Sequence, residues 1–137
     1  NALTRFGINT PARIRMFLAQ TGHETDGYNT FVEYTNADGT NAWCGRYEGG
    51  CRFRGRGAMQ LTHRSNYANA GRALGQDFVS NPELVAQMPW AFLTAGWFWQ
   101  TRDLNSFADR GDVVGATRVI NGGRNGLEDR QARFAVA

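Results

Sequence analysis

The segment "PWAFLTAGWFWQ", residues 89–100, constrains the fold more than any other stretch of the chain. Pro89 suits the first position of a helix, because its backbone angle is fixed near the helical value and no N–H is needed there. The residues that follow are apolar on nearly every side, and a helix of this kind must be buried. An aromatic strip that stacks on sugars is the alternative interpretation, but core packing explains the pattern more simply. The sequence therefore predicts one central helix around which the rest of the chain packs.

Amphipathic patterns on both sides of this segment predict further helices. A helix start is marked by a side chain that can accept a hydrogen bond from a free N–H group, and a left-handed glycine often marks the end. The starts expected on this basis are Thr10 followed by Pro11, Thr62, Asn81 followed by Pro82, Asp112, and Asn125 with Glu128. Gly75 and residues 121–123 mark two of the ends.

Residues 51–62, "CRFRGRGAMQLT", interrupt the helical pattern. Arginines recur there at every second position, and a period of two predicts a brief β-hairpin. At 137 residues the chain is expected to form one domain, residues 1–137, that buries roughly 68% of its unfolded surface. The predicted fold class is therefore α+β and mainly helical, with a small antiparallel β element.

The charge of the chain is mildly basic. Lysine and arginine together number 15 against 12 acidic residues, the net charge is +3, and every one of the 15 is arginine. The charges are spread along the chain, so an anionic polymer is an allowed partner but not a required one. A nucleic-acid-binding module would need a helix with a basic stripe or a repeated RGG tract. Neither is found, and no nucleic-acid partner is expected.

The cysteines and histidines give no metal-binding pattern. Cys44 and Cys51 either close a short disulfide loop or remain free thiols, depending on the redox compartment. His23-Glu24 lacks the second histidine of a zinc-binding HExxH helix, so no metal and no cofactor is expected. No signal peptide is visible, and no apolar run reaches the roughly 18 residues of a membrane span. Because the chain starts without methionine and ends within a helical pattern, it is expected to be a domain cut from a longer, modular protein.

Two predicted helices each carry a charge on the face that should be buried. The stripe that leads to Glu24 in the first helix consists of Ile14, Phe17 and Leu18. In the last helix, Arg130 lies between Leu127 and Phe134. A buried arginine must pair with an anion or cost several kcal/mol, which makes Glu24 its candidate partner. A structural ion pair with no catalytic role is the alternative interpretation.

A second glutamate, Glu33, follows Glu24 on a polar loop. One semi-buried and one exposed carboxylate are what glycoside hydrolysis requires, because the first keeps its proton and acts as the acid while the second stays ionised and acts as the base. This spacing alone often occurs by chance. Glu48, in the loop between the cysteines, is an alternative candidate for the base.

Four motifs in order resemble glycoside hydrolase family 19, the chitinase-like group that includes phage endolysins. They are "HETDG" followed by Glu33, "GRGAMQLTHRSNY", "WFW" and "INGGRNGLEDRQARF", and the resemblance runs from about residue 11 to residue 134. In detail the chain is similar to the phage and bacterial branch. The resemblance implies a two-lobed, lysozyme-like fold and an inverting, single-displacement mechanism.

The resemblance also implies roles for particular residues. Glu24 matches the general acid and Glu33 the general base, while Thr62 matches a residue that helps the base hold the attacking water. The residues that match contacts to the N-acetyl sugar are Gln60, Asn66 and Asn121. The residues that match supporting partners of the acid are His23 and Arg130. Two positions depart from plant chitinases: Ser65 replaces a substrate-contacting tyrosine, and Asn125 replaces an acidic residue near the arginine.

The function expected from these observations is cleavage of β-1,4 bonds between N-acetylated sugars in bacterial peptidoglycan, as the catalytic domain of a phage endolysin. A chitinase is the alternative, because both polymers contain N-acetylglucosamine. A catalytically dead wall-binding domain would lack the carboxylates, and both are present. The domain is expected to be a monomer that acts outside the cytoplasm on the cell wall, after synthesis in the host cytoplasm if it comes from a phage.

Overall fold

A computed structural model describes residues 2–136 of the chain. The α-helices of this part are α1 (Ala2–Arg5), α2 (Pro11–Glu24), α3 (Arg64–Leu74), α4 (Trp90–Thr101), α5 (Leu104–Asp109), α6 (Val113–Asn121) and α7 (Leu127–Val136). Short 3₁₀ turns span Cys44–Arg46, Gly50–Phe53 and Pro82–Ala86. None of the helices in the described part is long and apolar enough to cross a membrane.

Helix α4 is the central element, as its apolar sequence predicts. Ala91, Ala95 and Trp99 are buried in it. The buried residues of the protein form two hydrophobic clusters, and Trp97 and Phe98 of α4 pack against both. The aromatic residues of this segment therefore serve mainly as core, because their large apolar surfaces join the two clusters.

Several predicted helix ends are confirmed. The Thr10 side chain accepts a hydrogen bond from the Arg13 N–H at 3.2 Å, and Asp112 accepts one from the Gly115 N–H at 2.9 Å. Gly75 ends α3 in the left-handed conformation, with φ of 73°. These ends follow from local side-chain and backbone chemistry, which is why the sequence alone predicts them.

Other helix details were predicted wrongly. Helix α3 begins at Arg64 with His63 in the cap position, so Thr62 is not its N-cap. Helix α7 begins at Leu127, which leaves Asn125 ahead of the cap position and excludes the predicted capping box. Leu18 is 39% exposed, because the buried face of α2 is centred on Phe17, Gln20 and Thr21 instead.

The predicted antiparallel β element is also wrong. Within residues 2–136 only isolated bridges form, joining Arg56 to Val32 and to Leu61. A hairpin needs consecutive paired residues, but Gly50–Phe53 forms a 3₁₀ turn on one side and Gly57, with φ of 85°, turns the chain on the other. The described chain is thus helical with irregular connections, and the α+β class does not apply to it.

Candidate active site

A groove with a volume of about 420 Å³ brings both candidate carboxylates together. One part of its lining lies at the ends of α2 and α6 and just before α7: Glu24, Ile120, Asn121 and Asn125. The other part comes from the irregular chain before α3: Glu33, Trp43, Tyr47, Met59, Gln60 and Thr62. Five residues predicted from sequence therefore meet in one groove, although they are spread over nearly a hundred positions of the chain.

Glu24 is held by the buried arginine that the helical periodicity indicated. It is the last residue of α2, and its Oε1 accepts a hydrogen bond from Arg130 Nη2 at 3.0 Å. Arg130 is only 1% exposed, and its other two nitrogens also donate, Nη1 to Gln20 Oε1 at 2.6 Å and Nε to the Asn125 carbonyl at 3.0 Å. The guanidinium is therefore fixed, and it fixes the carboxyl group in turn.

Gln20 extends this contact into the core. It is fully buried, and its amide nitrogen donates to Thr117 Oγ1 of α6 at 3.2 Å. The chain of hydrogen bonds from Thr117 through Gln20 and Arg130 to Glu24 joins α6, α2 and α7. Because buried polar groups cost free energy when they lack partners, each member depends on the others.

Glu33 is held by three donors from the chain around it. The Tyr47 hydroxyl donates to Oε1 at 2.5 Å, the Gly55 N–H donates to the same oxygen at 3.1 Å, and Asn41 Nδ2 donates to Oε2 at 2.7 Å. All three groups are donors, which match the acceptor oxygens of a carboxylate. The sequence suggested that Glu33 is exposed on a polar loop, but its side chain is half-buried.

Glycine at position 55 makes room for the Glu33 carboxylate. The Glu33 N–H donates to the Gly55 carbonyl at 2.8 Å, so the two chain segments lie against each other. A Cβ added to Gly55 would lie 2.9 Å from Gln60 Oε1 and 3.2 Å from Glu33 Oε1. A side chain at position 55 would therefore press on Gln60 and on the Glu33 carboxylate, and glycine leaves room for both.

The predicted sugar-contacting residues are only partly in the groove. Gln60 and Asn121 line it, as does Thr62. Asn66 is not among the lining residues, and its amide donates to the Thr62 carbonyl at 3.0 Å instead. In this structure Asn66 supports the segment that carries Thr62 rather than facing the groove.

His23 and Glu48 lie outside the groove lining. The His23 ring bonds to Asp129 Oδ2 at 2.7 Å, and the Arg133 guanidinium, together with this ring, holds the pKa of the Asp129 carboxyl below its ordinary value. Glu48 Oε1 accepts the Ser65 N–H at 2.6 Å, and this bond lowers the pKa of the Glu48 carboxyl. Glu48 thus caps α3 from a distant loop, which explains why Thr62 does not and argues against Glu48 as the base.

Sequence reasoning missed three residues around Glu33: Asn41, Trp43 and Tyr47. Trp43 is 54% exposed at the groove, with the Arg46 guanidinium 4.3 Å from its ring centroid. Cys44 and Cys51 form a disulfide, with 4.6 Å between their Cα atoms, and Tyr47 lies between them. The one feature of the sequence that could have indicated Trp43 and Tyr47 is the presence of aromatic residues in a polar loop.

Among the described residues no group of three or more His, Cys, Asp or Glu side chains is arranged to hold a metal ion.

A helical fold with two carboxylates in one groove is the organisation of a lysozyme-like glycoside hydrolase domain. Residues 7–121 match the family model of glycoside hydrolase 19, described as chitinase class I. Because this match covers well over half of the chain, the chain belongs to glycoside hydrolase family 19.

Plant chitinases are among its similar sequences. The acidic 27 kDa endochitinase of Solanum lycopersicum is 46% identical over 96 residues, which cover 67% of this chain and 38% of that protein. Chitinase 11 of Oryza sativa subsp. japonica is 39% identical, over 78% of this chain and 50% of that protein. The chain thus spans half or less of the length of these relatives.

Solved chitinase structures share the fold. A bacterial family 19 chitinase superposes with a TM-score of 0.80 at 26% identity, covering 98% of this chain and 80% of that one. Chitinase C from Streptomyces griseus HUT6037 gives a TM-score of 0.76 at 26% identity, covering 97% and 77%. None of the relatives named here is a phage endolysin, so the phage branch stays a prediction.

Proposed function

We propose that this domain is an inverting glycosidase that hydrolyses the β-1,4 bonds of N-acetylglucosamine polymers, that is, of chitin. The observation that carries the proposal is the meeting of Glu24 and Glu33 in one groove, each held by a different set of partners. The family and the chitinases named above support chitin as the substrate class.

In the proposed mechanism, Glu24 and Glu33 act on opposite faces of one sugar. Glu24 donates its proton to the glycosidic oxygen as the bond from that oxygen to C1 breaks. Glu33 takes a proton from a water molecule whose oxygen attacks C1, so the product has the inverted configuration. The Thr62 hydroxyl helps to hold this water, and Gln60 and Asn121 donate hydrogen bonds to the substrate's acetamido groups.

Peptidoglycan, which the sequence motifs favoured, is the less well supported substrate. The named relatives and structural neighbours are chitinases, and no groove residue is specific for the lactyl group that distinguishes muramic acid. Action outside the cytoplasm, a monomeric state and membership of a longer modular protein stay predictions.

The test is digestion of a chitin oligosaccharide, colloidal chitin and purified peptidoglycan, with mass spectrometry of the new reducing ends and proton NMR of the first-formed anomer. We expect chitin fragments that are initially α-anomers. Glu24→Gln should lower turnover by about 10²–10⁴-fold, because the acid is lost. Glu48→Gln is the matched control and should remain active. Release of fragments from peptidoglycan alone, or first-formed β-anomers, would contradict the proposal.

A further inference from the structure

We infer that Tyr47 is a positioning residue for Glu33, and that the disulfide loop Cys44–Cys51 serves to hold its hydroxyl on that carboxylate. The inference rests on the proposed function, in which Glu33 is the base, and adds a residue that neither the family motifs nor the sequence pattern singles out. Tyr47 acts through Glu33 and takes no part in bond breaking.

The hydrogen bond between Tyr47 and Glu33 has a fixed direction. The phenol hydroxyl lies 2.5 Å from Glu33 Oε1. Burial raises the pKa of the Tyr47 hydroxyl well above its ordinary value, and the bond to Glu33 raises it further. The phenol therefore remains protonated through the neutral range and always donates, while Glu33 accepts.

The loop is fixed at both ends, so Tyr47 has little freedom to turn away. On one side the disulfide joins Cys44 to Cys51, and the Tyr47 N–H donates to the Cys44 carbonyl at 3.2 Å. On the other side the N–H of Glu48 donates to His63 Nδ1 at 3.0 Å, just before α3 begins. The Tyr47 ring packs edge-on against His63, with 5.6 Å between the centroids.

These contacts determine which oxygen of the Glu33 carboxylate has room to accept a hydrogen bond from water. Tyr47 and Gly55 both donate to Oε1, whereas Oε2 accepts from Asn41. Fixing Oε1 in this way sets the rotation of the carboxylate and therefore the direction in which Oε2 faces. Without the phenol hydroxyl, the carboxylate gains rotational freedom.

The experiment compares Tyr47→Phe with Tyr34→Phe on a chitin oligosaccharide. Tyr34 is a matched control, because its hydroxyl also donates to a carboxylate, that of Asp26 at 2.9 Å, but its side chain is exposed and does not line the groove. In Tyr47→Phe we expect kcat to fall roughly 10- to 100-fold while KM changes less than about twofold. Tyr34→Phe should leave both unchanged.

A second measurement needs no turnover. In protein labelled with ¹³C at the glutamate carboxyl carbons, the Glu33 signal, assigned with Glu33→Gln, should shift at neutral pH in Tyr47→Phe but not in Tyr34→Phe. If the unaltered protein cleaves chitin and Tyr47→Phe behaves like Tyr34→Phe in kinetics and NMR, the inference is overturned while the proposed function stands. If the unaltered protein cleaves no glycan, the proposed function fails, and with it the role of Tyr47 in catalysis. A loss of kcat with an unmoved Glu33 signal also overturns the inference, because it indicates a merely structural residue.

Discussion

At the scale of single residues, one buried arginine organises the acid side of the groove. Arg130 is almost completely buried, and its Nε, Nη1 and Nη2 atoms each donate a hydrogen bond. Two of the three acceptors are side chains of α2. Asn125 contributes only its backbone carbonyl to this guanidinium. Glu24 is therefore the one carboxylate within 4 Å of this guanidinium in the described chain, so the two groups depend strongly on each other.

Replacement of Arg130 should destabilise the protein and reduce activity together. Arg130→Ala leaves the Glu24 carboxylate and the Gln20 amide without their partner, and removal of one member of a buried pair typically costs about 3–5 kcal/mol. The free energy of unfolding is measured by urea denaturation, and activity on a chitin oligosaccharide.

Arg133→Ala is the matched control on the same helix. Its side chain is 36% exposed and pairs with Asp129 on the surface, where an ion pair contributes about 0–1 kcal/mol. Equal losses of stability in the two variants would show that burial of Arg130 does not matter.

The two carboxylates differ in how far their surroundings were predictable. Helical periodicity alone placed Glu24 and Arg130 on inward faces and suggested their pairing, which is present at 3.0 Å. The partners of Glu33 were not predictable, because Asn41, Tyr47 and Gly55 reach it through irregular chain with no period. Loop contacts of this kind depend on the path of the backbone, which no local pattern specifies.

At the scale of secondary-structure elements, the irregular chain between α2 and α3 replaces the predicted β-hairpin. Its two isolated bridges both involve Arg56, and the Arg56 side chain is buried, donating to the Arg52 carbonyl at 2.6 Å and to the Tyr67 hydroxyl at 3.2 Å. Alternating arginines suggested a strand with a polar face, but Arg56 points inward. Gly57, with φ of 85°, then lets the chain turn instead of extending a ladder.

Reduction of the disulfide should destabilise the irregular chain between α2 and α3. Cys44 and Cys51 are 7 positions apart, and a loop of this length contributes roughly 2–3 kcal/mol by restricting the unfolded chain. A reductant should therefore lower the melting temperature by several degrees and reduce kcat, because Tyr47 lies within the loop. Differential scanning calorimetry and chitin hydrolysis measure the two effects.

The double variant Cys44→Ser, Cys51→Ser is the control for this experiment. It should resemble the reduced protein and show no further response to the reductant. A melting temperature that the reductant leaves unchanged in the unaltered protein would indicate free thiols in solution.

At the scale of the whole molecule, the groove draws on chain segments packed against both hydrophobic clusters. Ile120 packs against one cluster, while Gln60 and Thr62 flank Leu61 of the other. Helix α4 contacts both clusters and so joins the packing that lies behind the groove. The apolar sequence that predicted a central helix thus also explains why the site can be rigid.

The modest net charge of the molecule leads to a test of the substrate class. Chitin is uncharged, so binding should depend on Gln60, Asn121 and aromatic contacts rather than on the net charge of +3. In the Glu24→Gln variant, a chitin oligosaccharide at about 100 times its Kd should add about 2.7 kcal/mol of stability. This gain, read from the melting temperature, should be nearly the same in low and high salt.

A cello-oligosaccharide, which lacks acetamido groups, is the control ligand and should stabilise the variant much less. A gain in stability that disappears as salt is added would indicate that the groove recognises an anionic polymer instead.

The sequence by itself determined the central helix α4, the inward face of α7, and the pairing of Glu24 with Arg130. These features follow from helical periodicity and from the cost of burying an unpaired charge, both of which are local properties of the chain. Only the tertiary structure decided that Glu48 caps α3, that Asn66 lies outside the groove, and that Tyr47 holds Glu33. Those contacts join side chains on segments that meet only after folding, so their geometry depends on the whole backbone.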